Sequence, residues 1–258
     1  MTSDEDVPTF DLEVVLPAYQ KGPVILKALS GVIEQLDSTG LTYRQIVVID
    51  GDVDGTADRL NAAQLPNCTV ICKDRNTGKG DALRCGIKHT TAPLVALFDA
   101  DLDIDPEFLN RGLVTLQERG ELAGVVGSKR HPDSVLVYPV LRRVLSRLYF
   151  LLAKALVGVS ISDTQTGAKL FRGDVLRRHA AEVHADGVAF DLELLAQLES
   201  DGNEIAEVPI RITQDLFGSS MSLRVGLAAL NDLLSVRRSV ARRHERGRGR
   251  EVPVRGQR

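Results

Sequence analysis

Carboxylates cluster directly after an apolar run in the middle of the chain. Residues 93–98 are apolar and predict a buried strand, and four aspartates follow it at alternate positions: Asp99, Asp101, Asp103 and Asp105. Alternate residues of an extended segment face one side, so the first three are expected to converge. Converging carboxylates favour a hard divalent cation such as Mg²⁺ or Mn²⁺. The alternative is an acidic cap on a helix beginning near Pro106, and Asp105 keeps that interpretation.

The elements that must position these carboxylates alternate along the chain. Apolar strands are predicted at 11–17, 44–50, 69–72, 93–98, 123–128, at the end of 163–171 and at 204–212. Helices are predicted at 24–36, 56–63, 79–89, 108–117, 141–156, 175–181, 190–199 and 223–236. Strands that are apolar on both faces and alternate with helices indicate an α/β fold, with a mostly parallel sheet flanked by helices.

Several polar motifs stand at the ends of predicted strands. These are Pro17-Ala18-Tyr19, Asp50-Gly51-Asp52 and Asp99-Ala100-Asp101. Because ligands of such sheets bind beyond the carboxyl ends of the strands, the three motifs predict one shared site.

Charge is distributed unevenly over the 258 residues. The net charge of −3 predicts no general affinity for nucleic acid, but residues 237–258 contain nine arginines against two glutamates. We therefore predict one domain over 1–236, ending in an amphipathic helix, and a disordered basic tail over 237–258. The alternative for the tail is electrostatic adhesion to anionic lipid.

Three features predict a cytoplasmic protein. Cys68, Cys72 and Cys85 have no disulfide or metal-ligand spacing, and no secretory signal is recognised at the N-terminus. The longest apolar stretch, 135–160, is interrupted by arginine and lysine, which indicates an amphipathic helix rather than a membrane span.

An ordered set of motifs supports a family resemblance. The set is Leu16-Pro17-Ala18-Tyr19, 48–56 (VIDGDVDGT), 76–83 (NTGKGDAL), Asp99-Ala100-Asp101, Gly127-Ser128-Lys129-Arg130 and 163–169 (DTQTGAK). In this order, over about 14–236, the chain resembles the family 2 glycosyltransferases of the GT-A (Rossmann-like) fold. It most resembles their polyprenyl-phosphate (dolichyl-phosphate) hexosyltransferase branch.

The resemblance implies a nucleotide-sugar site. Pro17 and Tyr19 would shape the base and ribose pocket, and Asp50 would accept a hydrogen bond from the base. The remaining nucleotide-sugar candidates are Ala18, Asp52, Gly78, Lys79, Asp99, Ala100 and Asp101. Asp99 and Asp101 match the family's metal-binding pair for Mg²⁺ or Mn²⁺, Asp103 is a neighbouring third ligand, and Asp101 is thereby a catalytic candidate.

The glycine-rich turn at 76–80 has two interpretations. Its backbone N–H groups and Lys79 can face phosphate or sugar hydroxyls, or the turn can simply begin a helix.

Further residues are assigned to phosphate or acceptor binding by the resemblance: Arg130, Arg143, Gln165, Lys169, Ser219 and Arg224. Arg143 has an alternative as part of a solvated helix face. The chain also departs from the family pattern, with Ile49 and Asp52 at the second strand end and Gln20-Lys21 after the first tyrosine. Near the end, Ser220-Met221 replaces a serine–lysine pair, so a phosphate contact is expected from Ser219 or Arg224, or is missing.

Asp191 separates the functional hypotheses. The leading one is metal-dependent, inverting transfer of a hexose from a UDP- or GDP-sugar to a polyprenyl phosphate at the cytoplasmic membrane face, with peripheral membrane contact. A hydroxyl acceptor would instead need a general base, and the resemblance places Asp191 in that region. If the acceptor is a phosphate, Asp191 positions it or caps its helix. A third hypothesis is a nucleotide-sugar-binding module without turnover, suggested by Ile49 and Met221.

Overall fold

The computed structural model describes residues 9–136, 140–212 and 223–248, without the side chains of 140–146, 223–229 and 244–248. Its strands are β1 (Leu12–Ala18), β2 (Tyr43–Ile49), β3 (Cys68–Cys72), β4 (Leu94–Phe98), β5 (Gly124–Ser128), β6 (Ala168–Arg172) and β7 (Ile205–Pro209). Its helices are α1 (Ile25–Asp37), α2 (Thr56–Ala63), α3 (Lys79–Lys88), α4 (Phe108–Glu118), α5 (Val140–Val157), α6 (Gly173–Ala180), α7 (Ala189–Ser200) and α8 (Leu223–Arg248).

The strands form one seven-stranded sheet in the order β3-β2-β1-β4-β6-β5-β7. Within the described ranges β6 alone runs against its neighbours, β4 and β5, and the other pairs are parallel. The predicted mostly parallel sheet is therefore confirmed. Because β6 is antiparallel, its first residue, Ala168, lies opposite Phe98, the last residue of β4. The segment before β6 thus reaches the same sheet edge as the residues after β4.

Helices cover both faces of the sheet. Side chains of α1, α2 and α4 share one apolar cluster with the sheet, and those of α3, α5, α6, α7 and α8 share another. On β1, Val14 and Leu16 belong to the first cluster and Val15 to the second, as the two-residue period of a strand requires. This burial of both faces explains why the strands read as continuous apolar runs.

The first strand continues beyond the proline at which the sequence prediction ended it. Pro17 lies within β1, and the next residue, Ala18, accepts a hydrogen bond of 2.8 Å from the backbone N–H of Asp50. Neighbouring residues of a parallel strand direct their backbone groups to opposite sides, so the nitrogen of Pro17 faces β4. The pairing of β4 with β1 stops at Val15, and no ladder bond is lost there.

The C-terminal helix is longer than predicted. The sequence ended it at Val236 and assigned 237–258 to a disordered tail, whereas α8 continues to Arg248. Val240 extends its buried face, and Arg243 forms ion pairs with Glu182 at 2.7 Å and Asp201 at 2.9 Å. The tail prediction was therefore wrong for 237–248, and 249–258 lie outside the described residues.

The predicted amphipathic helix at 141–156 is confirmed as α5. Ala153 is buried in the core, whereas Leu148, Leu151 and Leu152 are between 40% and 54% exposed. Neither α5 nor any other helix of the described ranges combines the length and the apolarity needed to cross a membrane.

A buried carboxylate fixes the sheet edge opposite the candidate site. Glu13 is fully buried in β1 and accepts hydrogen bonds from the backbone N–H groups of Thr91 at 2.6 Å and Ala92 at 2.8 Å, and from Arg44. We expect Glu13→Ala to lower the free energy of unfolding by about 3 kcal/mol, because buried donors are left without a partner. Urea denaturation measures this loss. The exposed Glu121→Ala is the control and should unfold at the wild-type midpoint, and equal midpoints for both variants would contradict the assignment.

Candidate functional site

A cleft of about 280 Å³ opens at the carboxyl ends of β1, β2 and β4. It is lined by Pro17, Ala18, Tyr19, Lys21, Asp50, Asn76, Lys79, Ala82, Asp99, Ala100 and Asp101. The three strand-end motifs thus meet in one place, which is where a parallel sheet binds its ligands. Of the nucleotide-sugar candidates, only Asp52 and Gly78 do not line the cleft.

Asp50 is held by the glycine-rich turn. Its carboxylate accepts hydrogen bonds from the backbone N–H groups of Thr77 at 3.0 Å and Gly78 at 2.7 Å, and from Lys73 at 2.6 Å. Burial raises the pKa of Asp50, but these donors outweigh it and hold the pKa below its usual value. Two N–H groups that the sequence suggested for phosphate are therefore occupied by a carboxylate of the protein itself.

Asp52 has a different position from the one expected. Its carboxylate accepts the backbone N–H groups of Thr56 at 2.9 Å and Ala57 at 3.1 Å, at the start of α2. Asp52 therefore satisfies the free N–H groups of a helix end, and it does not reach the cleft.

The loop before β6 packs directly on Asp99. The backbone N–H of Asp99 donates to the carbonyl of Gly167 at 2.8 Å. A Cβ atom at Gly167 would stand 2.1 Å from Asp99 Oδ2, closer than any side chain permits. The glycine of the 163–169 motif is thus explained by the space that the Asp99 carboxylate occupies.

Two carboxylates and two ammonium groups alternate from the cleft lining into the core. Lys79 Nζ lies 2.8 Å from Asp99 Oδ1 and 3.5 Å from Asp191 Oδ2, and Lys169 Nζ lies 2.8 Å from Asp191 Oδ1. Burial lowers the pKa of Lys79, but the negative charges of Asp99 and Asp191 raise it by more, so the pKa lies above its usual value. The pKa of Lys169 is lowered by burial more than Asp191 restores it. We call Asp99, Lys79, Asp191 and Lys169 the charge chain.

The three aspartates predicted to bind metal together do not converge. The strand ends at Phe98, and Leu102 has φ 65°, so the alternation of an extended segment is broken. Among the described residues no three His, Cys, Asp or Glu side chains group as a metal site. Asp99 and Asp101 both line the cleft, whereas Asp103 does not. The predicted triad is thus corrected to a pair, Asp99 and Asp101.

Asp101 differs from Asp99 in its environment. It forms no ion pair with any residue that the structure describes, and its Oδ1 accepts the backbone N–H of Asp103 at 3.2 Å. Burial raises the pKa of Asp101, and the negative charge of Asp99 raises it further. A carboxylate pair with one member lacking a cation suits a hard divalent ion.

Of the residues assigned to phosphate or acceptor binding, the three whose side chains are described, Lys169, Gln165 and Arg130, do not line the cleft. Lys169 is buried against Asp191, and the Gln165 amide donates to the Tyr149 hydroxyl at 3.1 Å. The guanidinium of Arg130 stacks on the Phe150 ring, 4.7 Å from its centroid. The side chains of Arg143 and Arg224 and the whole of Ser219 lie outside the described residues, so their roles stay predictions.

Sequence reasoning did not assign four residues of this region to the site. Lys21, Asn76 and Ala82 line the cleft, and Lys73 neutralises Asp50 from beside it. Lys21 stood only as a departure from the family pattern. Lys73 directly follows β3, and a cation at a strand end next to carboxylates at two others was a usable signal.

The chain is similar in sequence to known proteins. The family model described as "Glycosyl transferase family 2" matches residues 13–180. Dolichyl-phosphate beta-glucosyltransferase ALG5C of Trichomonas vaginalis is 32% identical over 76% of this chain and 62% of its own length. The human dolichyl-phosphate beta-glucosyltransferase is 30% identical over 81% of this chain and 69% of its own. The chain thus spans less than two thirds of the Trichomonas relative.

Solved structures show the same fold. Mannosyl-3-phosphoglycerate synthase from Rubrobacter xylanophilus superposes with a TM-score of 0.67 at 20% identity, over 96% of this chain and 79% of the other. Glucosyl-3-phosphoglycerate synthase from Mycobacterium tuberculosis, crystallised with Mn²⁺, UDP and phosphoglyceric acid, gives 0.65 at 20% identity, over 88% and 78%. The expected fold and the expected resemblance are both confirmed, and the chain belongs to glycosyl transferase family 2.

Proposed function

We propose that this protein transfers a hexose, most simply glucose, from a nucleoside-diphosphate sugar to a polyprenyl phosphate, with inversion and with a divalent ion. The family and the dolichyl-phosphate glucosyltransferase relatives support the reaction class. The cleft at the strand ends supports the place of the donor. The assay below distinguishes a uracil from a guanine donor, because it compares UDP-glucose with GDP-glucose.

The position and contacts of Asp191 are the observation that favours a phosphate acceptor over a hydroxyl acceptor. Its side chain is 3% exposed, it does not line the cleft, and each of its oxygens faces an ammonium group, Lys169 on one side and Lys79 on the other. A general base must reach the proton that it removes, so this arrangement does not suit a hydroxyl acceptor. A phosphate acceptor is already an anion and needs no base.

Asp99 and Asp101 would hold the divalent ion, Mg²⁺ or Mn²⁺. Two carboxylates completed by waters and substrate phosphates are a usual ligand set for Mg²⁺. When bound, the ion supplies positive charge to the departing diphosphate. Lys79 and Lys21 line the same cleft, where their positive charges offset the negative charges of the two carboxylates.

The first test is transfer itself. The full chain is incubated with radiolabelled UDP-glucose or GDP-glucose, polyprenyl phosphate and Mn²⁺, and label is measured in the organic extract. We expect lipid-linked label from one donor. Asp101→Asn should lower the rate of transfer about 100-fold or more, because the variant holds the divalent ion poorly and the ion's positive charge no longer stabilises the departing diphosphate. Asp103→Asn is the matched control and should lose much less. Absence of label with either donor, or full activity of Asp101→Asn, would refute the proposal.

Asp191→Asn distinguishes the two acceptor classes. Loss of a general base costs about 10²–10⁴-fold. For a phosphate acceptor we expect a smaller loss, about tenfold, because the amide of this variant still accepts a hydrogen bond from Lys169 but holds Lys79 less firmly. The rate of lipid product formation gives the answer. A loss as large as that of Asp101→Asn, together with transfer to soluble glycan hydroxyls by the wild type, would favour the alternative function.

We further assign the reaction to the cytoplasmic face of a membrane, reached by peripheral contact. Leu148, Leu151 and Leu152 form an exposed stripe on α5, and Arg147 and Lys154 are exposed on the same helix. An apolar stripe flanked by cations is typical of helices that lie in a membrane interface. The three free cysteines support the cytoplasmic side.

Vesicle binding checks this contact. We expect the full chain to sediment with phosphatidylglycerol vesicles, and the triple variant with serine at 148, 151 and 152 to bind about tenfold more weakly, since apolar area no longer leaves water. Val114→Ser on α4 removes an equally exposed apolar side chain and should bind as the wild type does. Unchanged binding of the triple variant would exclude α5 as the contact.

A further inference from the structure

The first observation concerns Lys79 and the carboxylate that it contacts. Its ammonium group lies 2.8 Å from Oδ1 and 2.9 Å from Oδ2 of Asp99, so it bridges both oxygens. Those oxygens are the ones that Asp99 would offer to a metal ion. An ammonium group held at both oxygens repels a divalent ion that approaches the same carboxylate, so the two compete for Asp99.

The second observation is the charge balance at the two proposed ligands. Lys79 brings one positive charge to Asp99, while Asp101 has no ion-pair partner in the described part of the chain. Lys79 alone therefore does not balance the pair, and Lys21, the other cation of the cleft, acts on both carboxylates without forming an ion pair with either in the described part of the chain. A divalent ion would satisfy both carboxylates together.

The third observation is that Lys79 has a second carboxylate within reach. Asp191 Oδ2 lies 3.5 Å from Lys79 Nζ, and Lys169 holds the other oxygen of Asp191 at 2.8 Å inside the core. The lysine side chain is 25% exposed, and its four-carbon stem has several rotatable bonds. Lys79 can thus leave Asp99 and remain paired, which avoids the high free-energy cost of an unpaired buried charge.

We propose that Lys79 is an internal counter-ion that occupies Asp99 in the metal-free protein and must be displaced before a divalent ion binds. Asp191, fixed by Lys169, is the positioning residue that receives it. The inference rests on the metal site of the proposed function, and it deepens that proposal by assigning a role to the charge chain. It implies that the free protein binds the ion weakly and that removing the charge of Lys79 strengthens binding.

The test is Mn²⁺ binding to the full chain without nucleotide, followed by electron paramagnetic resonance of the free ion. Lys79→Gln keeps a hydrogen-bond donor and loses the charge, and we expect it to bind Mn²⁺ about tenfold more tightly than the wild type. Lys79→Arg keeps the charge and should stay within about threefold of the wild type. Lys21→Gln removes another cation of the cleft without an ion pair to Asp99 and should change affinity less than Lys79→Gln.

Thermal unfolding is the second measurement, and it remains informative if a variant folds poorly without metal. A ligand that binds only the folded state raises the melting temperature, so melting across the same Mn²⁺ series should rise more steeply for Lys79→Gln than for the wild type. Adding Asp101→Asn to Lys79→Gln should abolish the tight binding, which locates the ion. Equal or weaker binding by Lys79→Gln, or equal tightening by Lys21→Gln, would overturn the proposal. Because no transfer is measured, failure of the acceptor assay leaves this result intact.

Discussion

The site depends on the alternation of charges from Asp99 through Lys79 and Asp191 to Lys169. The four residues follow β4, begin α3, lie in α7 and lie in β6, so one run of ion pairs fixes four elements relative to each other. Lys169 and Asp191 are almost completely buried. Truncation of Lys169 or Asp191 would leave the other as an uncompensated charge in the core, which is far more costly than loss of an exposed pair.

The reversed strand explains how this arrangement is reached. An antiparallel β6 begins where β4 ends, so the loop before it returns to the site instead of to the opposite edge. Gly167 then allows the loop backbone to lie against Asp99, and Lys169, two residues later, points to the face that contains α7. A parallel strand at this position would have carried the motif away from the carboxylates.

Local sequence patterns predicted the elements and the shared strand-end site, because apolar periodicity and strand termini depend on neighbouring residues. The same patterns failed where a contact between residues distant in sequence determines the local structure. The charge chain and the position of Gly167 depend on the reversal of β6, and the metal triad failed because Leu102 adopts a positive φ. The end of α8 was missed because Arg243 pairs with Glu182 and Asp201, which follow α6 and α7, and a helical pattern does not reveal such contacts.

Charge balance in the cleft constrains how an anionic donor can enter. Asp50 is neutralised by Lys73 and by the N–H groups of the glycine-rich turn, so that turn has little positive potential left for a diphosphate. Among the remaining lining residues Lys79 and Lys21 stand against the two aspartates of the proposed metal pair. A diphosphate therefore adds negative charge to a cleft whose cations are already balanced. Under the proposed function, additional positive charge would favour its binding, and a divalent ion held by Asp99 and Asp101 would supply that charge.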